Sequence, residues 1–538
     1  MTSGKMNNDS NRYSMKKLAL IPVLLLLISR PLAGETSIYH VTDFGAIGDG
    51  RMLCTDQIQR AINACAMQGG GTVYVPAGTY LTGTVQMLDH INLYLEAGAE
   101  LKGSPDLSDY PPASYMSEGR NTYLIYAYGA KNISISGRGT INGNDSAFVD
   151  WNSVHPGCCA DPQFVRQGSN YTNRFPDGPA AIKGDPGNRP GILVAFIQCE
   201  NIQIKDILVK NAPNWSVHLA GCDQVTISGV TVDNSLLVPN ADGFDVSVSR
   251  NVIISGCNIV AGDDGIAISP CGDGFAHMSA ENIHVSDCHI VSRSAGIRLG
   301  WSENHIRNCT FRNLTIQSNR GICINARHDE VIENILFSDI IISTRLHSGW
   351  WGSAEPVHIS VIPLGELHGI TSEGKQNGLV KNVRFSNMLI SAESGMVLYG
   401  YAPNVIRDIQ FNNIGYLFIE SELNDSYGGN IELRPTFEDR LAIFKSDIPA
   451  LFMKNVENVT VDRFTLGKQG ELEDFHTHAI YAEDFNDLTI RSFEGPALNP
   501  DKAVPAIYLL RGTGVTLEHC GTDPGRTLVE TTEVSGMD

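Results

Sequence analysis

The sequence predicts an all-β fold, a single-stranded right-handed parallel β-helix with an N-terminal cap helix. One phrase returns along the chain: an Asn or another polar residue, an alternating apolar run, a short turn and a second alternating run. Clear copies are NISISGRGTI at 132, NIQIKDILVK at 201, NVIISGCNIV at 251, NIHVSDCHIV at 282 and NVRFSNMLIS at 382. No helical pattern separates the copies after residue 70, so a doubly wound α/β fold is disfavoured.

The repeat leads to a coil for two physical reasons. Alternation of apolar and polar residues has the period of a β-strand, whose side chains point to opposite faces in turn. A repeated unit that cannot bury its apolar face alone stacks on its neighbours. With 42% hydrophobic and 18% charged residues, the chain can build the large core that such a stack needs.

The region before the repeats is typical of a cap on such a coil. The segment TDQIQRAINACA, beginning at Thr55, has the spacing of an amphipathic helix. Thr55 is a candidate helix cap, and Ile58, Ala61, Ile62 and Cys65 form one apolar stripe. We expect this helix to close the open end of the core.

The first residues have the features of an export signal. Lys16 and Lys17 precede the apolar run LALIPVLLLLIS, and Ala33 and Gly34 supply small residues for cleavage. This run is too short to cross a bilayer. We therefore expect residues 1–34 to be a signal peptide and residues 35–538 to form one parallel β-helix catalytic domain, periplasmic or secreted and without membrane contact after signal removal.

Charge and cysteine content narrow the possible partners. The formal net charge of −20 disfavours nucleic acid and anionic membranes as partners. Cys257 and Cys288 occupy the repeat position that holds Val230 and Leu314 in other copies, so they are expected to be small core residues. The adjacent Cys158 and Cys159 stay open as an oxidisable pair. No metal-ligand spacing is found, and neither metal nor cofactor is expected.

An acidic cluster emerges when the repeats are aligned on a glycine. The aligned segments are ADGFDV, DDGIAI, SAGIRL and NRGICI, with glycines at 243, 265, 296 and 321. The residue after each glycine is apolar and should point inward, and the next one should point outward. The outward column would then contain Asp245, Ala267, Arg298 and Cys323. Asp242 and Asp264 occupy the same position of neighbouring rungs, with Asp263 beside them.

These acids have two interpretations. Asp before Gly is ordinary turn chemistry, and strict alternation would point Asp242 and Asp264 into the core, where an unpaired carboxylate is costly. Either the backbone bends before each glycine and turns the acids outward, or they have buried partners. Three gathered acids are also what glycoside hydrolysis uses, since one protonates the leaving oxygen while another activates water. Crowding would raise one pKa and keep that group protonated.

With these motifs the sequence resembles the polygalacturonase family, glycoside hydrolase family 28, as a divergent member. The resemblance includes FGAIGDG, TDQIQRAI, GGGTVYVPAGTY, the RP pair at 189 and 190, and both acidic motifs. The family pattern Asn-Thr-Asp-Gly-x-Asp corresponds to residues 240–245, and its Gly-Asp-Asp to residues 262–264. The resemblance implies that Asp263 is the general acid, that Asp242 and Asp264 together activate water, and that the anomeric configuration is inverted.

The sequence departs from the family at the positions of the family's catalytic-site histidine and of its substrate-recognition residues. The family's Gly-His-Gly is here Ser294, Ala295 and Gly296, and its Arg-Ile-Lys is Cys323, Ile324 and Asn325. We therefore expect a sugar other than galacturonate beside the scissile bond. The candidate substrate-binding residues are Asn240, Asp245, Arg298, Trp301, Asn325, Trp350 and Trp351.

Two of these candidates have alternative roles. Arg298 lies one rung before the position of the family's arginine and could take over its role from there, or it could simply pair with Asp245 in the same column. The tandem tryptophans Trp350 and Trp351 could anchor a loop or form a platform on which sugar rings pack.

The leading prediction is an exported glycoside hydrolase that acts on a pectin-type or related plant polysaccharide or oligosaccharide. The first alternative is a polysaccharide lyase, which shares the coil but typically needs calcium-binding acids and a basic Arg or Lys. The second is a non-catalytic carbohydrate-binding coil, which the missing family histidine favours.

Overall fold

The structure is a computed structural model that describes residues 37–537. The residues left out within that range are 117–118, 156–159, 172–177, 185–186, 270–277, 302–304, 328, 348–350, 364–377, 435, 437–438, 500 and 502. The expected signal peptide, Cys158, Cys159 and Trp350 lie outside the described residues, so those expectations stay predictions. Among the described helices, none has the length and apolar character of a membrane span.

The described helices and strands are as follows. The helices are α1 (Thr55–Met67), α2 (Asn424–Tyr427) and α3 (Asp439–Ala442). The first strands are β1 (Ile38–His40), β2 (Asp49–Leu53), β3 (Gly71–Val75), β4 (Gly78–Thr82), β5 (Val85–Gln86), β6 (Ile91–Leu95), β7 (Ala99–Gly103), β8 (Tyr123–Tyr128), β9 (Lys131–Gly137), β10 (Thr140–Asn142), β11 (Val149–Val154) and β12 (Ala180–Ile182). The central strands are β13 (Ile192–Ile197), β14 (Glu200–Lys205), β15 (Leu208–Lys210), β16 (Trp215–Ala220), β17 (Asp223–Ser228), β18 (Thr231–Asp233), β19 (Phe244–Ser247), β20 (Arg250–Ser255), β21 (Asn258–Ala261), β22 (Ile266–Ser269), β23 (Ala280–Ser292), β24 (Ala295–Gly300), β25 (His305–Ser318), β26 (Arg320–Ala326), β27 (Val331–Thr344) and β28 (Val357–Val361). The last strands are β29 (Leu379–Ala392), β30 (Met396–Gly400), β31 (Ile406–Ile419), β32 (Asn430–Glu432), β33 (Ile443–Lys445), β34 (Leu451–Lys454), β35 (Val456–Gln469), β36 (Ile480–Arg491), β37 (Ile507–Glu518) and β38 (Val529–Met537).

Successive rungs of one coil account for nearly all of these strands. Thirty-four of the described strands join one parallel sheet system, and the predicted right-handed parallel β-helix is confirmed. The pairs β11–β12 and β32–β33 are small antiparallel hairpins outside it. The coil stacks identical positions on each other: Phe311, Phe337, Phe385 and Phe411 are in register and buried, with ring centroids 4.8, 5.1 and 4.9 Å apart. These distances match the spacing of neighbouring strands.

The polar residue that opens each repeat has a structural role. Asn251 and Asn282 adopt left-handed backbone conformations, with φ of 56° at each. Asparagine tolerates this region better than other side chains. The amide of Asn282 also donates a hydrogen bond to the Asn251 side-chain oxygen at 3.1 Å, and Asn382 donates likewise to Asn334 at 2.7 Å. The asparagines therefore turn the chain and link one rung to the next.

The cap helix is confirmed, with one correction. Helix α1 buries the predicted stripe of Ile58, Ala61, Ile62 and Cys65. Thr55 is the first helical residue and not its cap, because its hydroxyl accepts a hydrogen bond from the Gly83 amide at 2.8 Å and so ties α1 to the coil. The described cysteines are free, and Cys257 and Cys288 are buried in the core as expected.

The glycine column is fixed by close packing between rungs. A Cβ atom on Gly265 would lie 2.7 Å from the Gly296 carbonyl oxygen and 2.4 Å from a methyl carbon of Ile290. A Cβ on Gly243 would lie 2.3 Å from the Gly265 carbonyl oxygen. The backbone bends at Gly243 and Gly265, and the strands begin only after them. Both geometric alternatives hold in part: the bend keeps the preceding acids out of the hydrophobic core, yet they are buried, and Asp263 and Asp264 have polar partners.

Candidate active site

The predicted outward column exists. Asp245, Ala267, Arg298 and Cys323 are paired in register along β19, β22, β24 and β26. All four side chains point away from the core cluster and are nonetheless buried. The hairpin β32–β33 lies over part of this face, where the Glu432 carbonyl oxygen accepts a hydrogen bond from Arg320 at 3.0 Å. Polar chemistry on this face is therefore shielded from bulk water.

Asp242, Asp263 and Asp264 come together at the bend that precedes β19 and β22. One carboxylate oxygen from each lies within 4.8 Å of the other two, and the side chains are 3, 4 and 6% exposed. Among the described residues, this is the one group of acids, histidines or cysteines close enough to hold a metal ion. Like charges at this distance cannot all ionise freely in a water-poor site.

The Asp264 carboxylate is held by several donors. One oxygen accepts hydrogen bonds from the Ser294 hydroxyl at 3.0 Å and the Ala295 amide at 3.2 Å. The other oxygen accepts from Nε of Arg298, which forms a buried ion pair with it. These contacts hold the Asp264 carboxylate in one orientation beside the Arg298 guanidinium.

Asp263 is oriented by the loop before it. Its carboxylate accepts hydrogen bonds from the backbone amide and the side-chain amide of Asn240 at 3.3 and 3.4 Å. Asn240 has a left-handed backbone, with φ of 57°, which asparagine accommodates readily. Its side-chain oxygen accepts from Arg189 at 2.9 Å. Asn240, proposed from the sequence as a substrate contact, therefore links Arg189 to the acid cluster.

Asp242 lies in the least favourable setting for an anion. Burial is the largest cause that raises the pKa of its carboxyl well above the usual value, and the neighbouring acids Asp245, Asp263 and Asp264 raise it further. The charge of Arg298 opposes this only in part. One oxygen of Asp242 is buried without a hydrogen-bond partner among the described residues. Protonation of Asp242 would avoid both the burial of a charge and the repulsion by the neighbouring acids.

The pH dependence of the melting temperature tests whether the pKa of Asp242 is raised in the folded protein. A group whose pKa is raised in the folded state favours folding at low pH, and this contribution is lost as the pH rises through the folded pKa. We expect Asp242→Asn, which cannot ionise, to melt at a higher temperature than the unmodified protein. The difference should grow as the pH rises from about 4, near the unfolded pKa of an Asp. A difference that is independent of pH would contradict the assignment.

Arg298 forms a buried ion pair with Asp264. Its Nη1 also donates to the Ser269 hydroxyl at 3.3 Å and to the Gly300 carbonyl at 2.9 Å. Burial lowers its pKa, but the Asp264 carboxylate and the charges of nearby acids raise it more, so the net shift is upward. Asp245 acts on Arg298 through its charge, and Arg298 remains a cation beside the acids.

The aromatic candidates form a pair. The Trp301 and Trp351 rings are stacked, with centroids 4.8 Å apart and planes 14° apart, and both are half-buried. The Arg298 guanidinium carbon lies 5.7 Å from the centre of the Trp301 ring. The Trp301 ring thus lies near Arg298, which in turn pairs with Asp264 of the acid cluster. Asn325 is 2% exposed, and its side-chain oxygen accepts from the Ser360 hydroxyl at 2.9 Å.

Sequence reasoning missed His218, which extends the outward column by one rung. It is the register partner of Asp245 and is fully buried, with its Nε2 2.9 Å from the Ser247 hydroxyl. Burial, helped by the charge of Arg120, lowers its pKa to about 3, so it is a neutral imidazole. The segment SVHLA lacks the glycine on which the repeats were aligned. The apolar alternation around His218 was the only available signal.

A second charged cluster, also missed, lies beyond Arg298. Arg320 is buried and pairs with Glu355 at 3.2 Å and with Glu432 at 3.7 Å. Glu432 also accepts from Arg434 at 2.9 Å. These partners come from distant parts of the chain, so no local pattern could reveal them. The cluster joins the hairpin β32–β33 to the face of the coil.

Known proteins resemble this chain in sequence and in fold. The sequence profile of "Glycosyl hydrolases family 28" matches residues 65–346, which is more than half of the chain. A "Probable polygalacturonase" of Vitis vinifera is 29% identical over 42% of this chain and 43% of its own length. The "Exo-poly-alpha-D-galacturonosidase" of Dickeya chrysanthemi is 28% identical over 49% of this chain and 44% of its own length. The matched part thus spans less than half of either relative.

A solved structure agrees in fold. The family 28 exopolygalacturonase of Yersinia enterocolitica superposes with a TM-score of 0.56 at 18% identity, covering 94% of this chain and 78% of that one. At that identity the likeness concerns the fold alone. The profile match and the coil geometry together define a β-helical member of a glycoside hydrolase family. This chain belongs to glycoside hydrolase family 28.

Proposed function

We propose that this protein hydrolyses glycosidic bonds in a pectin-type or related plant polysaccharide or oligosaccharide. The observation that carries the proposal is the meeting of Asp242, Asp263 and Asp264 within 4.8 Å on two neighbouring rungs. Hydrolysis needs one carboxyl to protonate the leaving oxygen and another to activate water. Membership of family 28, whose relatives are polygalacturonases by name, supports a pectic substrate.

The proposed roles are those that the family resemblance implies for the three acids. Asp263, held by Asn240, is the general acid that protonates the leaving oxygen. Asp264, paired with Arg298, accepts a proton from the attacking water. Asp242 presents an oxygen without a described partner and helps to position that water. Proton transfer of this kind typically contributes about 10²- to 10⁴-fold to the rate.

We propose that the reaction inverts the anomeric carbon, as the family resemblance implies. The closest acid oxygens here lie within 4.8 Å, whereas carboxyl groups of inverting enzymes are typically about 6.5–9.5 Å apart. Stereochemistry therefore needs its own test. Proton NMR of the first product released should show the anomer opposite to that of the cleaved bond. Release of the same anomer would assign a retaining mechanism.

The substrate assay uses a panel of pectic and neutral glycans. New reducing ends without ultraviolet absorption would support hydrolysis, and absorbing unsaturated ends would indicate a lyase. Binding without any product would favour a carbohydrate-binding coil. We expect unsubstituted polygalacturonate not to be the best substrate, because the positions that carry the family's Arg-Ile-Lys hold Cys323, Ile324 and Asn325. A clear preference for it would refute that inference.

Metal dependence separates hydrolase from lyase. The Arg298 guanidinium forms an ion pair with Asp264 and so partly offsets the negative charge of the acid cluster. We expect hydrolysis to survive treatment with a chelator. Loss of activity with chelator, and its return with calcium, would favour a metal held by the three acids and the lyase alternative.

The protein is also proposed to act outside the cytoplasm. Within residues 1–34, Lys16 and Lys17 are followed by an apolar run and then by small residues, which is the order of a secretion signal. A polymeric plant substrate requires an extracellular or periplasmic enzyme. Determination of the N-terminal residue of the exported protein tests the expected cleavage after residue 34.

A further inference from the structure

A second concave site lies on the same outer face of the coil, towards its C-terminal end. It is a cavity of about 510 Å³, which we call the distal pocket. Its floor is formed by strands β30, β34 and β36, and its wall by the hairpin segment with Leu441 and Phe444. This volume is typical of small-molecule sites.

The distal pocket is separate from the acid cluster. Strand β22, which follows Asp264, is linked to β34 by five steps of the same ladder, or about 24 Å at about 4.8 Å per rung. Between them the outward residues Cys323 and His358 are buried, and the Arg320–Glu355–Glu432 cluster joins the hairpin to the coil. A ligand in the pocket therefore does not touch the acids.

Flat aromatic rings line the distal pocket. Phe452 and Tyr481 are half-buried and stacked, with centroids 5.5 Å apart and planes 12° apart. The Tyr399 and Phe444 rings are tilted by 57° to each other, with centroids 6.4 Å apart. The His478 Nδ1 lies 2.8 Å from the Pro505 carbonyl oxygen, which can only accept, so the proton is on Nδ1. Half-buried aromatic side chains next to hydrogen-bonding groups suit the C–H groups and hydroxyls of a sugar.

The charges of the pocket select among sugars. Lys454 is the only cation among its described lining residues, and it pairs with Glu483 and, at 3.7 Å, with Asp484. Asp447 adds another acid to the lining. The carboxylate of a uronic acid would meet these acids and a cation that is already paired. A neutral sugar meets donors and acceptors without that repulsion.

We infer that the distal pocket is a carbohydrate-binding site for a neutral sugar of the glycan, distinct from the site of hydrolysis. The choice of a glycan as the ligand rests on the proposed hydrolase function. The occupant is a neutral pyranose or furanose unit, packed on Phe452 and Tyr481 and bonded to Lys454 and Glu483. On a branched polymer, such a site would hold a neutral side chain while the acids act elsewhere on the chain.

The test measures binding and not turnover. Neutral galactan and arabinan oligosaccharides and, for comparison, oligogalacturonate are titrated calorimetrically into the Asp263→Asn protein, which should not consume them. We expect a neutral oligosaccharide to bind, and Phe452→Ala or Tyr481→Ala to weaken it at least tenfold. Tyr94→Ala is the matched control, since Tyr94 stacks on Tyr74 with centroids 5.5 Å apart on the outside of the coil, away from the pocket.

A further variant tests whether weaker binding could come from a loss of the fold. Phe452→Leu keeps an apolar side chain but removes the flat ring, and should weaken binding while leaving the melting temperature near that of the parent. The inference is overturned if no neutral sugar binds, if the pocket variants bind as tightly as Tyr94→Ala, or if oligogalacturonate binds this pocket better. Pocket-dependent binding in a protein that hydrolyses no glycan would refute the hydrolase proposal and leave this site standing.

Discussion

Asp263→Asn is expected to lose most of its hydrolytic activity while keeping its fold. The amide has nearly the same shape as the carboxyl but cannot deliver a proton to the leaving oxygen. Loss of a general acid typically lowers the rate by about 10²- to 10⁴-fold. The measurement is kcat/KM on the best substrate of the glycan panel, with the melting temperature measured in parallel.

Asp145→Asn is a suitable control for that experiment. Asp145 is a buried aspartate, 4% exposed, whose pKa is raised mainly by burial, and it is not a member of the acid cluster. We expect this variant to retain activity. Near-normal turnover of Asp263→Asn with an unchanged melting temperature would remove Asp263 from the role of general acid.

Arg298→Ala is expected to affect stability and activity together. The Arg298–Asp264 pair is buried, with side chains 11 and 8% exposed. Removing one partner of a buried pair leaves an uncompensated charge and typically costs about 3–5 kcal/mol of the free energy of unfolding. Loss of the guanidinium also leaves the Asp264 carboxylate without a donor that orients it, so kcat/KM should fall at least tenfold.

Two controls separate the roles of Arg298. Arg250→Ala breaks the exposed Arg250–Asp223 pair, 2.8 Å apart, and should cost no more than about 1 kcal/mol. Combining Arg298→Met with Asp264→Asn removes both buried charges and should recover much of the lost stability without recovering activity. If Arg298→Ala lowers only the melting temperature and leaves kcat/KM unchanged, the arginine is structural and does not position Asp264 for the reaction.

Periodicity was sufficient to predict the coil because each rung contributes a local signal. The alternation in repeats such as NVIISGCNIV is a property of consecutive residues, and stacking repeats them at a nearly constant interval. The core positions of Cys257 and Cys288 followed from the same alignment. The cap of α1 was misplaced by one residue because the Thr55 hydroxyl has a partner, Gly83, that local sequence does not reveal.

The grouping of the three acids was also predictable, for a steric reason. Gly243 and Gly265 are required where neighbouring rungs approach too closely for a Cβ atom, so they mark equivalent positions in the chain. Aligning on them places Asp242 and Asp264 on neighbouring rungs without any coordinates. The same alignment failed for His218, whose rung has no glycine at that position.

The sequence by itself determined the coil, the cap helix, the outward column and the juxtaposition of Asp242, Asp263 and Asp264, because each depends on spacing along the chain. Only the tertiary structure decided how those groups are paired. The choice of Asp264 as the ion-pair partner of Arg298 depends on side-chain reach across a rung. The Arg320–Glu355–Glu432 cluster and the distal pocket depend on where a long insertion folds back onto the coil. Such contacts join residues far apart in sequence, and no local periodicity encodes them.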